Sequence, residues 1–215
     1  MALGIQILIG LIVLFVLVGV IWRILSIRSS LPCPSWLAWL VEMENPYAKN
    51  YNAGDIVRLL GITPGMKVLD AGCGPGRVSI PLAKAVGPQG RVVAMDIQAR
   101  MLNRAKDKAK AASLTNIDFR LEAVEAATLG SNEFDRAILV TVLGEIPDRK
   151  RALQQIRCAL KPGGILSVTE IIVDPHYQSR KSIVQLGTST GFRERAFYGN
   201  RITFTLLLEK SEQVS

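Results

Sequence analysis

Apolar and polar positions form a repeating block pattern along most of the chain. Short runs of Val, Ile, Leu and Ala alternate with longer stretches in which apolar residues recur every three or four positions. Runs of the first kind are typical of buried parallel strands, and stretches of the second kind are typical of helices packed on a sheet. From a first helix near residues 52–60 to a strand that includes Ser167, the pattern predicts alternating helices and strands in an α/β domain.

The C-terminal part of the pattern is different. Residues 191–198 and 201–208 both resemble strands, and only Gly199 and Asn200 separate them. This arrangement predicts an antiparallel hairpin with a tight turn. The expected architecture is therefore a doubly wound, mostly parallel sheet that ends in an antiparallel hairpin.

The first residues form a long apolar stretch. No charged side chain occurs from Ala2 to Trp22, and at about 1.5 Å per helical residue this length crosses roughly 30 Å of hydrocarbon. A cleaved signal peptide is disfavoured, because no Lys or Arg precedes the apolar core. Since Arg23 and Arg28 follow the core, the positive-inside rule places the rest of the chain in the cytoplasm. We therefore expect residues 1–28 to be a single-pass transmembrane anchor.

A linker and a short helix are predicted over residues 29–51, before a single domain at residues 52–215. Ser35 is a suitable N-cap, and Trp36 and Trp39 fall on one face of the helix that follows it. The two indole rings could lie in the headgroup layer of a membrane. Alternatively, they could pack on the domain as a lid, and the sequence does not separate these possibilities.

The excess of basic residues is concentrated in the predicted domain. The formal net charge is +8, and Lys and Arg cluster within residues 100–110, 149–157 and 180–201. Any one cluster is typical of a solvated helix face, but beside an anchor the three together also favour an anionic membrane surface. Basic and aromatic residues are not interleaved, so a nucleic-acid partner is not expected.

The cysteines do not suggest a metal site. Cys33, Cys73 and Cys158 are far apart in sequence and lack the spacing of zinc ligands. We expect a reducing compartment, no disulfide framework and no bound metal.

A glycine-rich turn follows the strand that ends near Asp70. The glycines have the pattern Gly72-x-Gly74-x-Gly76, which is one residue shorter than the Gly-x-Gly-x-x-Gly pattern of dinucleotide sites. The carboxylate of Asp70 would repel a pyrophosphate, but it would attract an ammonium group. We therefore expect a ligand that carries a cation rather than a diphosphate.

Residues 68–76 resemble the first motif of the class I S-adenosylmethionine-dependent methyltransferases. The resemblance implies that the loop wraps the methionine part of the cofactor and that Asp70 contacts its amino group. It also implies that the loop binds through backbone groups, so the Cys73 side chain is expected to be incidental. The loop residues with this implied role are Ala71, Gly72, Cys73, Gly74 and Gly76.

Further matches to this family follow in chain order. They lie at residues 91–96, 117–123, 134–140 and 160–164. The resemblance implies that Asp96 binds both ribose hydroxyls of the cofactor and that Glu122 meets the adenine amino group. Either acid alone is more typical of a strand end or turn, and the order of the matches is what favours the methyltransferase interpretation. The resemblance also implies a seven-stranded sheet with a reversed last strand, and it adds Ile97, Ala123 and Thr141 to the cofactor site.

Three further residues are candidates for the reaction. Glu145 follows the fourth predicted strand, where related enzymes often place a polar residue or His, so it could accept a proton or contact substrate. The alternative for Glu145 is an ordinary helix-start acid. His176 lies on the expected substrate side, although a single His is more often structural. In related enzymes an N-terminal residue closes over the cofactor, and Tyr51 is the candidate here.

Three functional hypotheses remain at this point. The first is a membrane-anchored methyltransferase that uses S-adenosyl-L-methionine and acts on a small lipophilic molecule, such as a quinone, a lipid headgroup, or a hydrophobic thiol or phenol. The second is an NAD(P)-dependent Rossmann reductase, which the loop spacing and Asp70 disfavour. The third is a non-catalytic scaffold that retains the cofactor pocket. The sequence does not indicate an oligomeric state.

Overall fold

The computed structural model describes residues 51–211, interrupted positions between 4 and 21, and Glu42. Almost all of the predicted linker, including Cys33, Trp36 and Trp39, lies outside the described residues. The described positions between 4 and 21 are helical, and their apolar side chains are exposed. Within the described part of the chain, no helix is both long and apolar enough to cross a membrane. The rest of the predicted anchor lies outside the described residues.

Helices and strands alternate from residue 53 onwards, as the block pattern predicts. The helices are α1 (Ala53–Leu59), α2 (Ser79–Val86), α3 (Ala99–Ala111), α4 (Arg149–Ala159) and α5 (Arg180–Ser189). The strands are β1 (Lys67–Ala71), β2 (Arg91–Asp96), β3 (Ile117–Leu121), β4 (Phe134–Val140), β5 (Leu160–Ile171), β6 (Phe192–Gly199) and β7 (Thr203–Lys210).

The seven strands form one sheet in the order β3-β2-β1-β4-β5-β7-β6. β1 to β5 are parallel, whereas β7 is antiparallel to both of its neighbours, β5 and β6. The predicted mostly parallel seven-stranded sheet with a reversed last strand is therefore confirmed.

Successive strand residues pack on opposite faces of the sheet. Val68 belongs to a hydrophobic cluster that includes residues of α1, α2 and α3, whereas its neighbour Leu69 belongs to a cluster that includes residues of α4 and α5. Both side chains are fully buried. Helices thus cover both faces, which explains why the strands are continuous apolar runs.

The hairpin between β6 and β7 has a longer loop than predicted. β6 ends at Gly199 and β7 begins at Thr203, so the loop contains residues 200–202 rather than a turn at Gly199 and Asn200 alone. The side-chain oxygen of Asn200 accepts hydrogen bonds from the amides of Ile202 and Thr203, at 2.8 and 3.2 Å. These local hydrogen bonds of an asparagine side chain stabilise the wider loop.

Residues 160–164, the last of the family matches, lie inside β5. Phe134 pairs with Leu160 and Arg136 pairs with Ile165, so the intervening residues of β5 form a bulge. Gly163 provides the left-handed backbone there, with φ of 70°.

The topology determines where a ligand can bind. The chain places β2 and β3 on one side of β1, and β4 and β5 on the other. In open sheets of this kind, the crevice lies at the carboxyl ends of the strands where the order reverses, here between β1 and β4.

Candidate active site

The loop after β1 packs tightly against its neighbours. Gly72 has a φ of +78°, and a Cβ atom there would lie 2.5 Å from the side chain of Val142, which follows β4. Gly76 has a φ of +79°, and a Cβ atom there would lie 2.9 Å from that of Ala105 in α3. Both the backbone conformation and the space therefore require glycine, and the loop holds the ends of β1 and β4 close together.

Asp96 is fixed at the end of β2 by backbone donors. The amides of Gly74 and Gln98 each donate a hydrogen bond to its carboxylate, at 2.8 Å and to different oxygens. Burial raises the pKa of Asp96, while these amide hydrogen bonds oppose the increase. Each carboxylate oxygen can accept more than one hydrogen bond, so the fixed group can receive two further donors.

A cleft brings together residues that follow β1, β2, β3 and β4. Six of the predicted site residues line it: Gly72, Asp96, Ile97, Glu122, Ala123 and Glu145. Its remaining lining residues are Met95, Gln98, Val124, Glu125, Val142, Ile146 and Pro147, which the sequence analysis did not assign. Asp96 at the end of β2 and Glu122 directly after β3 thus share one cleft.

Asp70 is placed differently from the other acids. Its side chain is only 3% exposed, and it accepts a hydrogen bond of 2.5 Å from the hydroxyl of Ser79 at the start of α2. Burial, with a smaller contribution from the nearby carboxylate of Asp96, raises the pKa of Asp70 to about 7, although the hydrogen bond from Ser79 opposes the increase. Asp70 does not line the cleft described above, so its contact with a cofactor amino group stays a prediction.

The Cys73 thiol is unsuited to nucleophilic chemistry. It is 7% exposed, and burial together with the carboxylates of Asp70 and Asp96 raises its pKa. Because the thiolate is the reactive form, a raised pKa makes the group inert. That the loop binds a cofactor through its backbone stays a prediction.

Tyr51 connects the glycine loop to the end of β4. The guanidinium of Arg77 lies 4.5 Å from the ring centroid of Tyr51, and Arg77 donates a hydrogen bond of 2.9 Å to the carbonyl of Tyr51. A side-chain hydrogen bond joins Tyr51 to Thr141. Thr141 directly follows β4 and has a φ of 54°. Burial raises the pKa of the Tyr51 hydroxyl. Tyr51 and Thr141, both predicted site residues, thus lie together.

The loops after β4 and β5 meet at Glu145 and His176. The Nδ1 atom of His176 lies 3.9 Å from the carboxylate of Glu145 and 3.9 Å from that of Asp174. Gly144 allows this contact, because a Cβ atom there would lie 1.9 Å from the backbone oxygen of His176. The two predicted catalytic candidates are therefore neighbours in space.

Glu170 is a buried acid that the sequence analysis missed. It is 1% exposed, and one carboxyl oxygen accepts a 3.3 Å hydrogen bond from the amide of Gln178. Burial raises the pKa of Glu170 well above its ordinary value, with contributions from Asp174 and Glu145, while Arg149 lowers it. The sequence carried a signal, since Glu170 is the one acidic residue of β5.

A larger cavity of about 640 Å³ lies at the opposite edge of the sheet, where Ser131 precedes β4 and Lys210 ends β7. No predicted site residue lines that cavity. Among the described residues, no group of three or more His, Cys, Asp or Glu side chains could hold a metal ion.

Comparisons with known proteins connect this geometry to a family. Residues 62–194 match the family described as "Methyltransferase domain". The chain is 36% identical over 115 residues to the ubiquinone/menaquinone biosynthesis C-methyltransferase of Hydrogenovibrio crunogenus, a match that covers 53% of this chain and 45% of the relative. It is 33% identical over 111 residues to the demethylmenaquinone methyltransferase of Geobacillus stearothermophilus, covering 52% and 47% of the two chains. The matches thus span less than half of each relative.

A solved structure supports the fold. The crystal structure of a SAM-dependent methyltransferase from Aquifex aeolicus superposes with a TM-score of 0.74 at 19% sequence identity. The superposition covers 83% of this chain and 100% of that one.

Proposed function

The chain belongs to the class I S-adenosylmethionine-dependent methyltransferases, and from this premise we propose that it methylates a small, lipophilic acceptor at the cytoplasmic face of a membrane. S-adenosylmethionine is the methyl donor of this family. The donor's sulfonium already makes the methyl group electrophilic. The protein has to hold the acceptor in line with that group and, where needed, remove a proton.

The position of Asp96 is the main observation that supports the proposed cofactor site. Two backbone amides fix its carboxylate at the edge of a cleft that also contains Glu122. In this proposal the cofactor's ribose hydroxyls donate to Asp96, and its adenine amino group donates to Glu122. Ile97 is an apolar side chain with 57% exposure next to Asp96, which suits contact with the flat adenine ring.

The acceptor is proposed to bind on the β4 and β5 side of the cleft. Val142, Ile146 and Pro147 provide apolar lining there, next to the acid Glu145. Both relatives described above are named as methyltransferases of quinones or their precursors. We therefore infer a quinone-type acceptor, with Glu145 and His176 as the proposed groups that contact it.

A membrane location is proposed on three observations. The described apolar side chains between residues 4 and 21 are exposed, the net charge is +8, and a quinone-type acceptor would be lipophilic. In this proposal residues 1–28 anchor the chain and residues 52–215 form the catalytic domain.

The experiment is methyl transfer from S-adenosylmethionine with a labelled methyl group to a membrane extract and to demethylmenaquinol. The proposal expects a labelled product that dissolves in organic solvent and whose formation falls sharply in Asp96→Ala. Asp107→Ala changes an exposed acid of α3 and serves as the matched control. Binding of S-adenosylhomocysteine without any transfer would favour the scaffold hypothesis, and binding of NADH would favour the reductase.

A further inference from the structure

Two buried polar atoms near the acceptor side of the cleft have no hydrogen-bond partner among the described residues. They are the Oε1 atom of Glu170 and the Nε atom of Arg149. An unpaired polar atom in the interior costs about 1 to 3 kcal/mol, so two of them in one region suggest a missing ligand group.

Gln178 links the two side chains. The backbone amide of Gln178 donates a hydrogen bond to Oε2 of Glu170 at 3.3 Å, and the side-chain oxygen of Gln178 accepts a hydrogen bond of 3.1 Å from Arg149. The Arg149 charge also acts on the Glu170 carboxyl. The unpaired acceptor and the unpaired donor therefore belong to one local network.

The hydrogen-bonding properties of Oε1 of Glu170 and Nε of Arg149 limit which chemical group can bind both atoms. A hydroxyl can donate a hydrogen bond to the carboxylate of Glu170 and accept one from Arg149. A carbonyl can only accept, and an ammonium group would be repelled by the guanidinium. A hydroxyl of the methyl acceptor thus fits the network better than either of them.

We propose that Glu170 accepts the proton that the methyl acceptor loses, and that this acceptor carries a weakly acidic hydroxyl group of the phenol or hydroquinone type. The inference rests on the proposed methyl-transfer function and names the substrate class and the proton acceptor of the same site.

The proposed step is balanced by the groups already named. The hydroxyl proton moves to the Glu170 carboxylate as the hydroxyl oxygen, or the ring carbon conjugated with it, forms a bond to the methyl carbon. The bond between sulfur and the methyl carbon breaks, and its electron pair stays on sulfur. In the case of carbon attack, the ring carbon then loses its proton to solvent as the ring becomes aromatic again. The oxygen takes back the proton held by Glu170, which regenerates the carboxylate. In the case of oxygen attack, Glu170 later releases its proton to solvent.

The surroundings of Glu170 determine how readily it takes a proton. Several ionisable groups act on it from the elements packed around it. They are Glu145 after β4, Arg149 in α4, Asp174 and Tyr177 after β5, and Tyr51 before α1. Since Glu170 is 1% exposed, an acceptor can reach its carboxyl group only after a part of the protein packed over it moves.

The test compares the full-length wild-type protein with Glu170→Gln, which keeps the size of the side chain but cannot accept the proton. The probe is 1,4-dihydroxynaphthalene with a prenyl chain, and the assay follows labelled methyl transfer over a range of pH. For the wild type we expect kcat to rise with pH to a plateau, with an apparent pKa above the ordinary range of a carboxyl group. For Glu170→Gln we expect kcat to fall about 100-fold or more and no longer to increase with pH.

Two controls separate chemistry from folding. Glu170→Gln is expected to keep its affinity for S-adenosylhomocysteine within about threefold and to melt at no lower a temperature than the wild type, because burial raises the pKa of the Glu170 carboxyl group. Glu194→Gln changes an acid of β6 that pairs with Arg180 at the protein surface, and it is expected to keep both kcat and the pH profile.

The possible failures are distinguishable. A Glu170→Gln enzyme with kcat within threefold of wild type would overturn the role of Glu170. Equal methylation of the dimethoxy analogue of the probe would overturn the hydroxyl requirement. A wild-type protein that neither binds S-adenosylhomocysteine nor transfers a methyl group to any acceptor would overturn the proposed function itself.

Discussion

The two halves of the cleft satisfy their polar groups in different ways. In the cofactor half, formed after β1, β2 and β3, backbone amides hold Asp96 so that its carboxylate faces an open cleft. In the acceptor half, formed after β4 and β5, Glu170 is buried and one of its oxygens is unpaired. The first half is preorganised by local backbone geometry, whereas we propose that the second is completed by a ligand.

Replacing Asp70 should produce the largest effect among the tests of this difference between the two halves. Asp70 lies in the cofactor half, but its side chain is buried, as that of Glu170 is. Its pKa of about 7 lies above the value near 3.9 expected for the unfolded chain. Between those values the folded state binds more protons, so stability falls as pH rises from about 4 to 7. The loss attributable to Asp70 approaches about 4 kcal/mol.

Asp70→Asn removes this titration and keeps an acceptor for the Ser79 hydroxyl. We expect the free energy of unfolding of Asp70→Asn to increase relative to wild type as pH rises through that range. Urea unfolding at a series of pH values measures the difference, with Asp107→Asn as the exposed control. A difference between Asp70→Asn and wild type that does not change with pH would show that Asp70 is not buried in the way described.

Asp96→Ala should produce the next largest effect, within the cofactor half. The substitution removes an ionised acceptor for two ligand hydroxyls, and each such hydrogen bond contributes about 1.5 to 3 kcal/mol. We expect the affinity for S-adenosylhomocysteine to fall by about 100-fold or more, as measured by titration calorimetry. An affinity within threefold of wild type would place the ribose elsewhere.

Gly144→Ala should affect the acceptor half more than the cofactor half. The added Cβ atom would lie 1.9 Å from the backbone oxygen of His176, so the loops after β4 and β5 must separate. We expect destabilisation of about 1 to 3 kcal/mol and at least a tenfold loss of methyl transfer, with S-adenosylhomocysteine affinity within about threefold.

Gly54→Ala provides the control for that substitution. Gly54 lies in α1, and a Cβ atom there would meet nothing within 4 Å. The methyl-transfer activity of Gly54→Ala should therefore equal that of the wild type. Equal losses of cofactor binding and methyl transfer in Gly144→Ala would contradict the separation of the two halves.

Cys73→Ala should have the smallest effect. The thiol is buried and its pKa is raised, so we expect S-adenosylhomocysteine affinity within about twofold of wild type. In the folded protein, iodoacetamide should label the exposed Cys158 much faster than Cys73, as measured by mass spectrometry of peptides. Rapid labelling of Cys73 would show that the glycine loop opens.

The difference between the two halves of the cleft also explains which site residues could be predicted from the sequence. Asp96 and Glu122 each follow a short apolar run, so their positions at strand ends, and hence in one cleft, follow from local patterns and parallel topology. The burial of Asp70 against Ser79 was not visible, because it depends on how α2 packs on β1.

The acceptor half depends on contacts between distant segments. Glu145 and His176 were recognised singly, but their proximity requires the loops after β4 and β5 to pack at Gly144. Glu170 was visible as the one acidic residue of β5, yet its unpaired oxygen is seen only once Arg149 and Gln178 are placed around it.

The most direct measurement is a crystal structure of the protein with S-adenosylhomocysteine bound. The account predicts both ribose hydroxyls within about 3 Å of the Asp96 carboxylate and the adenine amino group beside Glu122. A cleft that stays empty at saturating ligand, or a ribose bound away from Asp96, would contradict the account.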